Sequence, residues 1–598
     1  MLPPRPAQKR NSELSAALGR CRHALIGIGV FTAAINILQL TGPIFMLEVY
    51  DRVLPGRSIP TLVTISILAL VMFGFQGLLD VLRARVLVRI AASVDETLSH
   101  RVFDLVSKLP LKAITPPSFQ PVHDLDRIRS FMSTVGPAAF FDLPWMPLYL
   151  GICFVFHPLI GWAATVGGLI LVAITVATEF LTRQPARDAA AVADGRMGLA
   201  ESSRRNAEVV QAMGMGGRLN KLWHDHNRRN LAAQQRVADI SGGMSALSRI
   251  LRMILQSFVL GVGAWLVINQ QATAGIIIAS SILTSRALAP VEVTLAHWRS
   301  FIAARQSWRR LNGLLGTIPA EQQRMELPRP KETLTLEAVS VNPPGTNRLV
   351  VQGVAFQLKA GQGLGVIGPS ASGKSSLVRA IVGVWPAIQG KIRIDGAAID
   401  QWTPDALGPH IGYLPQDMEL FSGTVAENIA RFEPDAPSEK VIAAAKAASV
   451  HELILALPNG YETPVGDSGN ALSAGQRQRI GLARALYGDP FLVVLDEPNS
   501  NIDREGDEAL TKAILGVRAR GGIVVVVCHR PSALAGVDTV LVMLAGRQQA
   551  FGPKEQVLQA PQQPQQPAAM QAGAMQAGAR MLQPMTVHAG GRPQEKAP

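Results

Sequence analysis

The sequence predicts an α-helical membrane domain of six spans followed by an α/β domain that holds nucleotide phosphates. Three observations predict it. Apolar residues gather before about residue 310 in six runs, each close to the ~20 residues a helix needs to cross ~30 Å of hydrocarbon. The stretch Gly368-Pro369-Ser370-Ala371-Ser372-Gly373-Lys374-Ser375-Ser376 fits G-x-x-x-x-G-K-[ST] between an apolar strand and a helix. A second apolar strand, Phe491-Leu492-Val493-Val494-Leu495, ends in the carboxylates Asp496 and Glu497.

The chain has 598 residues, so it exceeds one domain. Hydrophobic residues make up 48% and charged ones 17%, with a mean hydropathy of +0.21, which is apolar for a soluble enzyme. The expected division is an N-terminal arm over 1–23, a membrane domain over 24–310, a linker over 311–332, a nucleotide-binding domain over 333–557 and a tail over 558–598.

The spans read as Ala24–Leu47, Pro60–Leu79, Ala138–Phe156, Leu159–Thr178, Ile250–Ile268 and Ala274–Pro290. The last is interrupted by Ser280, Ser281, Thr284, Ser285 and Arg286, and a buried helix of a soluble domain competes with it there. His157-Pro158 alone joins the third and fourth, which suits a tight turn at one membrane face. Lys and Arg crowd the N-terminal arm and the segments between spans two and three and between four and five. The other connections carry mainly Arg52 and Arg57. By that asymmetry both termini and the nucleotide domain lie in the cytoplasm. It also explains most of the net charge of +13, and no nucleic-acid reader motif supports the rival explanation.

The long basic segments read as helices that carry the spans inward, over Thr97–Leu111 and Ala186–Trp223. Turn regions are expected at His123–Arg129 and Ala207–Met215, the second on account of Gly214, Gly216 and Gly217. Asp142 sits at the cytoplasmic start of the third span beside Pro144 and Trp145. An interfacial position makes its charge cheap, and a polar gate at the cargo entrance is the functional alternative. No small-residue cleavage site follows the first span, so no cleaved signal peptide is expected. Cys21, Cys153 and Cys528 have neither disulfide nor metal-site spacing. The tail from about Gln559 is rich in Pro, Gln and Ala and repeats Met570-Gln571-Ala572-Gly573-Ala574 as Met575-Gln576-Ala577-Gly578-Ala579. It reads as disordered, with partner binding as the alternative.

In the second half the glycines let backbone N–H groups close around phosphates, and the helix N-terminus adds its positive end. Lys374 can reach the β- and γ-phosphates, and the Ser375 hydroxyl can ligate Mg²⁺. Asp496 would hold the same ion, and Glu497 would orient and polarise the attacking water.

Five elements in order then resemble those of ATP-binding cassette (ABC) proteins. They are the phosphate loop, Gln416 as the Q-loop glutamine, Leu472-Ser473-Ala474-Gly475-Gln476 as the signature, Asp496-Glu497, and Ser500-Asn501-Ile502-Asp503 as the D-loop; His529 resembles the switch histidine. Ala474 replaces the usual signature glycine. The resemblance implies a six-span exporter domain followed by an α/β P-loop ABC ATPase, with ATP and Mg²⁺ as cofactors. It also implies a homodimer, since each phosphate loop faces the signature of the other subunit. Ser473, Gly475, Gln476 and Asp503 would then contribute to nucleotide binding across the interface, and Gln416 would join the metal ligands.

More particular strings, Phe45–Pro55, Asp124-Leu125-Asp126, Phe141–Tyr149, Glu208–Met215 and the X-loop-like Thr463–Gly469, resemble type I secretion ABC transporters. The closest branch is the one that exports proteases and haem-carrier proteins. The resemblance implies a bacterial inner-membrane exporter of an unprocessed polypeptide, embedded in membrane lipid. It would work with a periplasmic adaptor and an outer-membrane channel and bind no nucleic acid. The arm before the first span is too short for the peptidase domain that leader-trimming relatives carry. A lipid or drug exporter of the same fold is the alternative. The stretch Val339–Gly345 lacks the aromatic on which many cassettes stack adenine, so base choice is expected to be loose.

Overall fold

The computed structural model describes residues 13–112, 120–319, 324, 327–500, 504–528 and 534–559. Two compact units emerge, one within Met1–Pro330, Leu336–Val354 and Ser376–Pro409, the other within Lys331–Thr335, Ala355–Ser375 and His410–Pro598. The expected tail, Asp503 and His529 lie outside the described residues.

Among the described residues of the first unit, six helical segments are long and apolar enough to cross a membrane: Arg22–Gly56, Ile59–Lys108, Gly136–Phe156, Pro158–Arg205, Gly216–Ile268 and Ala274–Ala296. Each contains one expected span, the polar-interrupted sixth included. Helices of 50, 48 and 53 residues continue far beyond the hydrocarbon.

Sequence reading takes the first span as one helix, but it breaks at Gln39–Leu40 between Arg22–Leu38 and Thr41–Glu48. The cause is Pro43, which has no N–H for the carbonyl four residues back. The turn after the third span is as tight as His157-Pro158 implies: the His157 ring accepts from the Leu159 N–H at 3.2 Å and Pro158 opens the next helix.

Two expectations are corrected. His123–Arg129 is not a turn but the middle of the helix Gln120–Met132. Leu125 and Ile128 point to one buried side of it, and nothing after Pro121 breaks it. Ala186–Trp223 is not one helix. It breaks at Asn206, forms the short helix Ala207–Ala212, and turns through Gly214 at φ +61° before Gly216 starts the next helix. The turn expected at Ala207–Met215 is therefore present.

Close packing holds the fourth and fifth spans. A Cβ on Gly167 would meet the Leu255 side chain at 2.2 Å, so only glycine lets these helices approach. Polar groups in this half are paired across elements. Asp142 accepts from Asn36 at 2.9 Å and from Arg83 at 3.0 Å, and Arg83 also bonds Asp80 at 2.9 Å. The buried Tyr149 hydroxyl donates to Asn36. Asp142 thus sits in a polar knot joining the first three spans. Asp51 accepts from the Thr273 hydroxyl at 2.5 Å and the Gly275 N–H at 2.8 Å, capping the sixth span from the first hairpin. Asp124, fully buried, accepts from Ser307 at 2.7 Å and from Arg310 at 2.5 and 3.1 Å, which fastens the helix Trp298–Thr317. That carboxylate raises the Arg310 pKa.

Ten strands follow: β1 Thr333–Val341, β2 Val351–Lys359, β3 Gly363–Ile367, β4 Gln389–Ile394, β5 Ala397–Ala398, β6 Ile411–Leu414, β7 Leu492–Asp496, β8 Ile523–Val527, β9 Thr539–Leu544 and β10 Arg547–Pro553. One run of strands has the order β5-β4-β1-β2. In the second it is β10-β9-β3-β8-β7-β6, with β3, β8, β7 and β6 parallel. Every residue of β7 and β8 is buried, as expected for central parallel strands covered on both faces. This order brings the carboxyl ends of β3 and β7 to the same edge, with β8 between them. That edge is where open α/β sheets bind ligands.

Candidate active site

The phosphate loop leaves β3 at Gly368. Its φ is +153°, and a Cβ there would lie 2.2 Å from the Met543 carbonyl oxygen, so no other residue fits the turn. Pro369, Ser370, Ala371 and Ser372 carry the loop to Gly373 at φ +92°. Lys374 and Ser375 then open the helix Lys374–Ile381, with Ser376 following. The Lys374 ammonium is 5% exposed and donates to the Gly368 and Pro369 carbonyls at 3.0 and 2.9 Å. Burial lowers its pKa, and the neighbouring Glu497 and Asp496 oppose that shift.

Ser375 Oγ donates to Asp496 Oδ1 at 3.1 Å, and Asp496 is 1% exposed. A hydroxyl and a carboxylate held this close form a hard-oxygen donor pair of the kind Mg²⁺ takes. Glu497 follows at the strand end in a left-handed conformation, φ +50°, with its N–H bonded to the Val527 carbonyl. Gln416, exposed just beyond β6, donates to Glu497 Oε2 at 3.1 Å. The second unit therefore brings together Lys374, Ser375, Gln416, Asp496 and Glu497.

The signature segment is not part of that cluster. Ser473 is the N-cap of the helix Ala474–Leu486, accepting from the Gln476 N–H at 3.3 Å, while Gln476 Oε1 accepts from the Ser473 N–H at 2.8 Å. This reciprocal cap follows the pattern S-x-x-Q at the start of a helix. It leaves the N–H of Gly475 in the first helical turn, where an anion is favoured. The X-loop-like segment pairs with the chain after Gln416: Ser422 bonds Asp467 at 3.0 Å, and Val465 N–H bonds the Gly423 carbonyl.

Sequence reasoning gave Gln478 no role. Its side chain is buried and donates to the Pro498 carbonyl at 2.5 Å, beside the Glu497 carbonyl and Ser500 Oγ, each at 3.4 Å. The only signal was its place five residues after Ser473 on the inner side of the helix.

A strand, a lysine-bearing glycine loop, a carboxylate pair and a serine-capped signature helix, joined to a six-span membrane domain, define an ABC transporter. The family models agree: "ABC transporter" matches residues 351–500 and "ABC transporter transmembrane region" matches residues 25–290. The chain is 58% identical over 558 residues to the type I secretion system ATP-binding protein PrsD of Rhizobium meliloti, covering 93% of this chain and 96% of that one. It thus belongs to the type I secretion ATP-binding proteins within the ABC transporters. The cyclolysin secretion/processing ATP-binding protein CyaB of Bordetella pertussis is 28% identical, covering 91% of this chain and 77% of that one. The leukotoxin translocation ATP-binding protein LktB of Mannheimia haemolytica is also 28% identical, covering 88% and 75%. A solved structure of a bacterial Atm1-family ABC exporter with ATP bound shares the fold. Its TM-score is 0.77 at 22% identity, over 90% of this chain and 96% of that one.

Proposed function

We propose that this chain is the ATP-driven inner-membrane component of a type I protein secretion system. It works as a homodimer that exports an unprocessed polypeptide, with a periplasmic adaptor and an outer-membrane channel as partners. The observation that carries this reading is the 58% identity to a type I secretion ATP-binding protein across nearly its whole length. The placement of Lys and Arg supports a cytoplasmic ATPase domain. The domain limits that go with it are a membrane domain over 24–310, a linker over 311–332 and an ATPase over 333–557.

In this reading the loop Gly368–Ser376 holds the β- and γ-phosphates, and Lys374 balances their charge. Ser375, Asp496 and Gln416 would hold Mg²⁺, which supplies charge neutralisation at the β- and γ-oxygens. Glu497 accepts a hydrogen bond from the attacking water and takes its proton as the water oxygen bonds to the γ-phosphorus and the bond from that phosphorus to the β–γ bridging oxygen breaks, releasing ADP. Gln416 orients that carboxylate, and His529 bonds the transferred phosphoryl group. Ser473, Gly475 and Gln476 of one protomer close over the nucleotide of the other beside Asp503. Hydrolysis is thereby tied to dimer closure.

The test is deletion of the gene followed by mass spectrometry of the culture medium. The expected result is loss of at least one secreted polypeptide, restored by the intact chain but not by the Glu497→Gln variant. If none disappears while a lipid or small molecule accumulates inside the cell, a lipid or drug exporter replaces this reading.

A further inference from the structure

The helix that opens with the signature does a second job deeper along its length. Gln478 is the second residue after the Ser473–Gln476 cap closes, and it is 6% exposed. Its Nε2 faces three acceptors that belong to one turn, the Pro498 carbonyl at 2.5 Å and the Glu497 carbonyl and Ser500 Oγ at 3.4 Å. That turn begins at Glu497, whose φ of +50° is a conformation an L-residue adopts only when its surroundings impose it. The turn is closed by the Ser500 N–H on the Glu497 carbonyl at 3.3 Å. On the side-chain side, Glu497 is met by Gln416 at 3.1 Å. The carboxylate is thus gripped twice, at its head by Gln416 and through its backbone by Gln478.

We propose that Gln478 is a positioning residue for ATP hydrolysis: its amide holds the 497–500 turn so that the Glu497 carboxylate points at the attacking water. The inference rests on the assignment of Glu497 as the general base. Gln478 touches neither phosphate nor metal ligand in this arrangement, so its loss acts on turnover and not on nucleotide capture. A hydrogen bond to a buried acceptor is worth roughly a factor of ten in an equilibrium. Because Gln478 acts through Glu497, its removal adds nothing once Glu497 is disabled.

The test uses full-length protein in lipid nanodiscs and the variants Gln478→Met, Glu497→Gln and the pair. Methionine keeps the volume and unbranched shape but has no donor. Gln478→Met should lower kcat at least about ten-fold and leave KM for ATP within about two-fold. In the Glu497→Gln background the same substitution should leave the residual rate where it was. Unchanged kcat, a raised KM at intact kcat, or an undiminished effect in the Glu497→Gln background would each overturn the proposal. Should Gln478→Met not fold, Gln478→Asn, which withdraws the amide by one methylene, carries the same expectations and the same refutations. Near-normal turnover of Glu497→Gln would remove the general base and the proposal with it. A silent Glu497→Gln beside a fully active Gln478→Met would remove the proposal alone.

Discussion

Strand β8 and the second span are both nearly continuous apolar sequence, yet they meet opposite surroundings. All five residues of Ile523–Val527 are buried by the chain itself. In the helix Ile59–Lys108 only 6% of the most apolar window is buried within the chain. The strand is removed from water by folding, and the helix is left for its surroundings in the membrane to cover. Polar groups follow the same division. In the nucleotide-binding half they gather where parallel strands end, on one edge, and do chemistry. In the membrane half the knot Asn36–Asp142–Arg83 ties polar groups to one another across spans.

The largest effect expected from this contrast is catalytic. Glu497→Gln should lower turnover by a factor of about 100 or more, within the range for losing a general base, while ATP binding, followed by nucleotide fluorescence, persists. Lys374→Ala should instead weaken binding itself. Equal loss of binding in both variants would erase the separation of roles along this edge.

Next comes the knot in the membrane half. Asp142→Leu leaves the Arg83 guanidinium, 12% exposed, with its cross-span partner gone, and should destabilise by about 3 kcal/mol. The double variant Arg83→Leu/Asp142→Leu should recover much of that, since the desolvation cost disappears with both charges. Thermal unfolding in detergent reads both. A pair of losses that simply add would mean the two groups do not act together.

A smaller effect belongs to the first hairpin. Asp51→Ala removes the cap on the sixth span and should cost about 1 kcal/mol. Asn at the same position, which still accepts, should cost less. If both cost the same, the charge and not the hydrogen bond is what Asp51 contributes.

The smallest lies in the nucleotide-binding half and fades in alkali. Burial, helped by the hydrogen bond to Glu433 at 2.8 Å, pushes the Tyr487 phenol up to about 12. The unfolded value is about 10. The folded protein thus holds this proton more tightly, so the contribution is complete below pH 10 and is lost between pH 10 and 12. Tyr487→Phe should lower the melting temperature at pH 8, where the contribution is complete, and the gap to the intact chain should close as the pH rises from 10 to 12. An unchanged slope would place the alkaline sensitivity elsewhere.

These halves were not equally legible. Of the residues that the second unit gathers, Lys374, Ser375, Asp496 and Glu497 were readable from local patterns, a glycine loop and a strand ending in carboxylates, and Gln416 from the family resemblance. The spans were readable from length and composition. What escaped depends on partners far apart in the chain. Asp51 and Gly275, or Asp124 and Arg310, are separated by 224 and 186 residues, and no periodicity announces such a meeting. His123–Arg129 was read as a turn although it holds neither the glycine nor the proline that marks one. Its few apolar positions, Leu125 and Ile128, were enough to seat a helix once a buried carboxylate faced an arginine. Gln478 was passed over because glutamine on a polar helix carries no signal until the turn it grips is seen.

The long helices have a mechanical consequence. At 1.5 Å per residue, the 53 residues of Gly216–Ile268 make a rod about 80 Å long. A tilt of about 5° at one end of such a lever sweeps the other through roughly 7 Å, more than a full helical turn of travel. Its neighbour Pro158–Arg205 carries Pro185 partway down, a soft joint in an otherwise stiff beam. Angular movements too small to disturb the packing between these spans therefore arrive at the Ala207–Met215 turn as displacements the size of an amino acid.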